Sequence, residues 1–383
     1  MKKKIVSLLL ALCMLLCLFG CARKPDVLEL TIDTESSYSA MYGNLILRIP
    51  ANAFLRHFQW GDIVSVEIGD GMVFEAPVCE AYDDVSVGEL LLRAETGEDC
   101  VEFARCYGQM GIETGLMQRT EDAYVYLPGA EKVAVRISLR EKGSYAGRLA
   151  IGQLEYSDRR EDYDPDVTDE QFANFRAVSV AGILPDTLYR SSSPIDSFYG
   201  RNETADALAR KAGIRFFVDL VDSEEQAKAH DAYADSYFST QDSVCMAMPV
   251  AFTSDTFRQV LAEALRSLGG QEPPYLIFCT MGRDRTGLCC AMLELFAGAA
   301  LDEVREEYAA CYENYYRGLK KCPGQVTDAV HGQLCDMIEE NLEAALGIDD
   351  LGSVDTAAAM ADYFRSIGLS EAELTALRAA ICG

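Results

Sequence analysis

Apolar and polar positions follow two different rhythms along this 383-residue chain. Between residues 28 and 156 the apolar runs are short and strand-like. Residues 28–32, 45–49, 63–68, 73–78, 132–139 and 149–156 are rich in Val, Ile and Leu and are divided by turn residues. Asp70-Gly71, between the third and fourth runs, predicts a hairpin. Such spacing predicts a small β-barrel or sandwich. Past residue 170 the rhythm changes. Residues 204–212 read as a helix stopped by Gly213, and 214–220 (IRFFVDL) as a buried parallel strand. Residues 256–268 carry Phe257, Val260, Leu261, Leu265 and Leu268 on one helical face. A second buried strand at 275–278 and a helix at 287–297 follow. This alternation predicts an α/β layer: a central, mostly parallel sheet flanked by helices, with ligand groups at the strand carboxyl ends.

Between the two regions, residues 157–170 (SDRREDYDPDVTDE) hold seven acids, two arginines and Pro165, and read as a solvated linker. At the other end, Lys2, Lys3 and Lys4 precede an apolar region of 12 residues, 5–16, too short to cross a hydrocarbon core that needs roughly 20. The expected organisation is therefore a signal segment at 1–21, a β-rich domain at 22–155, an acidic linker at 156–170 and an α/β domain at 171–383.

Charge narrows the function. A formal net charge of −27 excludes a nucleic-acid partner, which needs clustered Lys and Arg. His57, His230 and His331 are scattered, and no HExxH or CxxC spacing occurs, so neither a metal site nor a cofactor is expected. Of fourteen cysteines, three fall before residue 22; the rest lack the spacing of a disulfide framework and read mostly as buried small residues.

One cysteine stands apart. In YLIFCTMGRDRTG (residues 275–287) an apolar strand delivers Cys279, a loop of Thr280, Met281, Gly282, Arg283 and Asp284 follows, and Arg285, Thr286 and Gly287 open a helix. A loop of this kind turns backbone N–H groups inward at a helix N-terminus and makes an anion nest. The same dipoles favour a thiolate, so Cys279 is expected to ionise well below about 8.5. Arg285 offers a planar fork for two phosphate oxygens. Together they suit attack on the phosphorus of a phosphate monoester.

This segment resembles the cysteine-dependent tyrosine phosphatases, nearest to bacterial members with a C-x-x-G-x-D-R-T-G loop. Asn174-Phe175-Arg176, residues 188–192 (LYRSS), Glu224-Glu225 and residues 367–370 (IGLS) extend the likeness over about 200 residues. The resemblance implies Cys279 as nucleophile through a cysteinyl-phosphate, Arg285 as phosphate clamp, and Thr286 easing thiolate departure. It implies Asp284 as general acid. Asp255 in FTSDTF is an alternative acid or else part of a helix cap with Ser254. Asp222, with Asp219, is a further candidate that could instead orient Arg283 or Arg285, or form a plain ion pair. The family usually has His before the cysteine; here it is Phe278, so reduced activity is expected. Two further likenesses concern the first region. Leu18-Phe19-Gly20-Cys21 is similar to a bacterial lipobox, which implies diacylation at Cys21 and anchoring to the outer face of the cell membrane. Tyr42-Gly43-Asn44-Leu45, Gly61-Asp62, Tyr82-Asp83-Asp84-Val85 and Gly88-Glu89 resemble the C-terminal β-domain of the S-adenosylmethionine hydroxide adenosyltransferases; a scaffold or partner-binding β-module is the alternative. The expected activity is a phosphatase acting on phosphotyrosine or with dual specificity. A phosphoinositide or inositol-phosphate phosphatase and a phospho-ligand binder without turnover remain open.

Overall fold

The computed structural model describes residues 27–36, 41–85 and 88–382, apart from the side chain of Asp83. Residues 1–21, expected to form a signal segment ending in Cys21, lie outside them. The chain divides into two compact units, residues 1–153 and 154–383.

In the first unit, seven strands form one sheet: β1 (Val27–Thr31), β2 (Leu45–Leu47), β3 (Ile63–Ile68), β4 (Met72–Cys79), β5 (Leu90–Arg93), β6 (Val101–Arg105) and, later in the chain, Ala134–Glu141. Their order is β1, Ala134–Glu141, β3, β4, β5, β6, β2. The two ends meet: Ile32 bridges Leu47, and Asp33 N–H donates to the Ile46 carbonyl at 2.8 Å. The sheet is thus a nearly closed barrel, which leaves little unpaired strand edge. The predicted hairpin is present, with Ile68 opposite Met72. Alternation sends Val64, Val66, Ile68, Val135 and Ile137 into an apolar core with Phe54, Phe58 and Phe103.

The expected strand at 149–156 is instead a helix, Ala146–Gly152. Ala146 and Ala150 favour helix, and one turn suffices to seat Leu149 among Cys79, Val85, Leu91, Ala104 and Cys106. Several residues of the adenosyltransferase likeness take part in turns and packing. Asp62 accepts from the N–H groups of Gln59 (2.7 Å) and Gly143 (2.9 Å), and Asp84 from those of Glu80 (2.9 Å) and Ala81 (2.8 Å). Asn44 donates to Glu102 at 2.9 Å.

The second unit carries five strands. With Met117–Arg119 and Tyr124–Tyr126 of the first unit as β7 and β8 and Ala134–Glu141 as β9, these are β10 (Arg176–Ala177), β11 (Leu188–Ser192), β12 (Phe216–Asp219), β13 (Asp242–Cys245) and β14 (Tyr275–Cys279). Their order is β10-β11-β14-β12-β13, all parallel except β10 against β11. The last strand in sequence lies in the middle, buried along its whole length. Helices Asn202–Ala212, Asp255–Gly269 and Asp284–Ala297 occupy the expected positions. Among the described residues no helix is long and apolar enough to cross a membrane.

The acidic stretch 157–170 does not behave as a solvated linker. Tyr163 is buried, donates to the Tyr315 carbonyl at 3.1 Å and accepts from Arg201 at 2.8 Å. Asp164 N–H reaches the Gly318 carbonyl, and Val167 and Phe172 join the same cluster. Tyr163 and Val167 within the stretch, with Phe172 just after it, are enough to dock the segment while most of its carboxylates face water.

Candidate active site

Cys279 ends the central strand, opposite Ser192 of β11, while Asp219 of β12 lies opposite Phe278. From there the chain turns into the helix Asp284–Ala297. Gly282 adopts φ +66°, and a Cβ there would lie 2.3 Å from the Ser191 carbonyl oxygen, so only glycine fits. Gly287 is equally constrained, since a Cβ would strike the Tyr308 ring at 2.5 Å.

The loop carbonyls are captured from outside. Thr280 O accepts from Ser193 N–H at 3.2 Å; Met281 O and Gly282 O accept from Asn174 Nδ2 at 3.2 Å each; Gly282 O also accepts from Arg190 Nη2 at 3.1 Å. In a trans peptide the N–H points opposite to the C=O. Fixing these three carbonyls outward therefore turns the N–H groups of Met281 and Arg283 toward the loop's hollow, while Gly282 N–H closes a turn to Cys279 O at 3.3 Å. The helix N-terminus adds its positive end on the same side. Cys279 itself is nearly covered.

Arg190 is fully buried and pairs with Glu307, which Arg176 also holds at 2.6 Å. Burial and the Glu307 carboxylate push the carboxyl of Glu294, also buried, well above the ordinary carboxylate range. Arg285 is steered by backbone oxygens: Met248 O at 3.2 Å and Leu220 O at 3.5 Å, from the segments after β13 and β12. Thr286 is buried, and its hydroxyl has no protein partner. That polar group sits one residue past Arg285 in the first helical turn, where a sulfur or phosphate oxygen would satisfy it.

The remaining candidates separate. Asp284 is in the loop assembly, but as a paired carboxylate: Tyr312 donates to it at 2.6 Å and Arg283 contacts it at 3.2 Å. Burial raises its carboxyl, yet the Arg283 guanidinium and the Tyr312 hydroxyl outweigh this and hold it below the usual range. Arg283 also donates to Tyr316 and lies 4.3 Å over the Tyr312 ring. Asp255 is exposed, pairs with Arg258 at 3.0 Å, and follows Ser254, which caps the helix. Its role is at the helix start, away from the loop contacts.

Asp222 hydrogen-bonds His230 at 2.8 Å, and Asp219 Oδ1 accepts from the N–H groups of Val221 (2.8 Å) and Asp222 (3.2 Å). Neither aspartate is hydrogen-bonded to Arg283 or Arg285. Asp219 is buried with Oδ2 unpartnered, and burial pushes its pKa up to about 7. Phe278 packs edge-on against Phe238 (5.6 Å) and Phe217 (6.5 Å), in the apolar cluster rather than in the site. Cys289, Cys290, Cys311 and Cys335 are buried thiols.

Residues 170–383 match the sequence model of the tyrosine phosphatase family, which covers more than half of the chain. The chain belongs to the tyrosine phosphatase family. Its second unit is thus a phosphatase of the tyrosine phosphatase type. No curated protein matches the chain. Among solved structures, TpbA from P. aeruginosa is similar at 21% identity over 51% of this chain and 99% of that one, with a TM-score of 0.28. A cysteine-to-serine TpbA variant in complex with phosphotyrosine is similar at 20% identity over 47% and 98%, also at 0.28. An uncharacterised conserved protein from Thermotoga maritima is 23% identical over 30% of this phosphatase, which spans only 38% of that chain, with a TM-score of 0.21.

The residues that pin the loop, Asn174 and Arg190, stand in the family-like strings, but their role was not legible there. Tyr312 and Tyr316 were missed altogether. Their signal was the repeat of tyrosines four apart at 308, 312 and 316, one face of a helix.

Proposed function

We propose that this phosphatase hydrolyses aryl phosphate monoesters, phosphotyrosine in proteins first among them, through a cysteinyl-phosphate. The observation that carries the reading is the outward capture of the Thr280, Met281 and Gly282 carbonyls beneath Cys279, with Arg285 at the helix start. A phosphate dianion in the hollow meets inward N–H groups and the Arg285 fork. The Cys279 thiolate attacks phosphorus, the S–P bond forms and the P–O bond to the leaving group breaks. Asp284 gives that oxygen its proton. The bound dianion draws Arg283 toward itself and repels the Asp284 carboxylate; both raise the affinity of Asp284 for a proton before attack. Asp284 then takes a proton from water as water attacks phosphorus, and the S–P bond breaks with the Thr286 hydroxyl at the departing thiolate.

An aryl group is favoured by the aromatic rim. Tyr316, in contact with Arg283, is followed outward by Tyr156 (6.3 Å), Tyr199 (5.4 Å from Tyr156) and Phe198, which is 72% exposed. For an inositol polyphosphate the loop itself offers only two arginines, Arg283 and Arg285, on a chain of net charge −27. We infer further that Cys21 is lipidated and that substrates lie outside the cell; a Cys21→Ala chain should then leave the membrane fraction.

The experiment compares phenyl phosphate and a phosphotyrosine peptide with a nitrophenyl ester, whose leaving group needs no proton. Cys279→Ser should abolish turnover of all three. Asp284→Asn should slow the first two by about 10²–10⁴-fold and the nitrophenyl ester far less. Equal background rates for wild type and Cys279→Ser would leave a phosphate binder without catalysis. Equal slowing of all esters by Asp284→Asn would remove Asp284 from the acid role.

A further inference from the structure

On the far side of the tyrosine-bearing helix, Leu301–Tyr316, three Lewis bases converge. Glu306 stands on that helix; His331 and Cys335 stand one turn apart on the helix Asp328–Leu346. One ligand atom from each lies within 4.8 Å of the others. His331 Nδ1 is 2.8 Å from Glu313 Oε1, while Nε2 is 3.3 Å from Glu306 Oε1 and 3.7 Å from Cys335 Sγ.

The Glu313 contact sets the tautomer. Nδ1–H donates to a carboxylate, so Nε2 presents its lone pair to two further electron-rich atoms. Such a meeting is unfavourable unless a proton or a cation sits among them. A metal-bound histidine has this arrangement, with the outer ring nitrogen donating to a carboxylate. Zinc bond lengths of about 2.0 Å to N and O and about 2.3 Å to S place tetrahedral ligands about 3.3 Å (N to O) and about 3.5 Å (N to S) apart. The spacings found here are 3.3 and 3.7 Å.

We propose that Glu306, His331 and Cys335 bind a borderline divalent cation of the zinc type, with Glu313 orienting the imidazole. The fourth position faces solvent beside the exposed Glu306. The ion would clamp two helices together, and one of them carries Glu307, Tyr312 and Tyr316, which hold Arg190, Asp284 and Arg283. It takes no part in the phosphoryl transfer. Binding requires a deprotonated thiol and a neutral imidazole, so affinity should fall as pH drops.

The test loads the full-length chain with Zn²⁺ or Co²⁺ alone and measures stoichiometry, affinity and thermal midpoint. One Zn²⁺ per chain is expected, with a raised midpoint, and Co²⁺ should give a sulfur-to-metal charge-transfer band. Cys335→Ser should lose the band and the midpoint gain. Glu306→Gln, on an exposed side chain that folding does not need, should weaken Zn²⁺ about tenfold or more, and Glu313→Gln about 10–100-fold. The proposal is overturned if the wild type binds no Zn²⁺. It is also overturned if Cys335→Ser binds equally with the same Co²⁺ spectrum, or if both glutamate variants keep wild-type affinity. His331 is then an imidazolium bridging two carboxylates. Should Cys335→Ser not fold, the glutamate variants decide alone.

Discussion

The two units solve different problems with their sheets. The barrel closes on itself around an almost wholly apolar core, and a buried acid such as Asp62 serves turns at its margin. The phosphatase unit instead buries Arg190 and Asp219 on its sheet and Thr286 and Glu294 on the helix that follows the loop. Burying a charge is costly unless it is paired. The barrel limits that cost to acids at its margin that are paired, Asp62 with Lys142 and Glu102 with Arg93. The phosphatase accepts it where a loop must be held with its amides exposed to a ligand, because only polar groups can capture outward-facing carbonyls.

Four changes sharpen this contrast, from the largest effect to the smallest. Arg190→Met leaves Glu307 short of a partner and removes one of the two donors to Gly282 O. It should cost about 3–5 kcal/mol in urea unfolding and collapse phosphatase activity with it. Arg285→Lys keeps the charge but loses the fork. It should lower kcat about 10²–10³-fold in steady-state assays, about 3–4 kcal/mol, with little change in stability.

Asp219→Asn tests the buried acid by pH. With a folded pKa of about 7 against 3.8 in the unfolded chain, wild-type stability should decline as pH rises from about 4 to about 7 and level off above. The unfolded state releases its proton first in that window, so higher pH favours unfolding. Asn keeps the acceptor for Val221 and Asp222 and removes this slope, so the variant should be more stable by roughly 2–4 kcal/mol at pH 8. Phe278→His places an imidazole between Phe217 and Phe238. It should destabilise by about 1–3 kcal/mol, more at pH 5 than at pH 8, because a charged ring is the costlier to bury. The readout is chemical denaturation at both pH values. Unchanged stability would show that the site, not the aromatic cluster, sets the residue at 278.

Local pattern determined a good deal by itself. The period-two runs at 63–68 and 73–78 made their strands and hairpin, because alternation and a two-residue turn are properties of neighbours. The string from Tyr275 to Gly287 located strand, loop and helix for the same reason, and the family match agrees with that reading. The helix at Ala146–Gly152 escaped because a single buried leucine, Leu149, suits either element. The linker was misjudged because composition counts seven acids but not which face of the segment Tyr163, Val167 and Phe172 share.

Tertiary structure alone decided the rest. Asn174 and Arg190 reach the loop across about 100 residues of chain, through neighbouring elements that sequence order does not reveal. Asp284 meets Tyr312 only because one helix packs on another, and that contact helps to hold its carboxyl below the usual range before a phosphate arrives. His331 and Cys335 sit one turn apart and were readable as a pair; Glu306 joins them from a second helix. Spacing along a chain encodes contacts within one element. Contacts between elements depend on how buried surfaces settle against each other, and that is set by the whole fold.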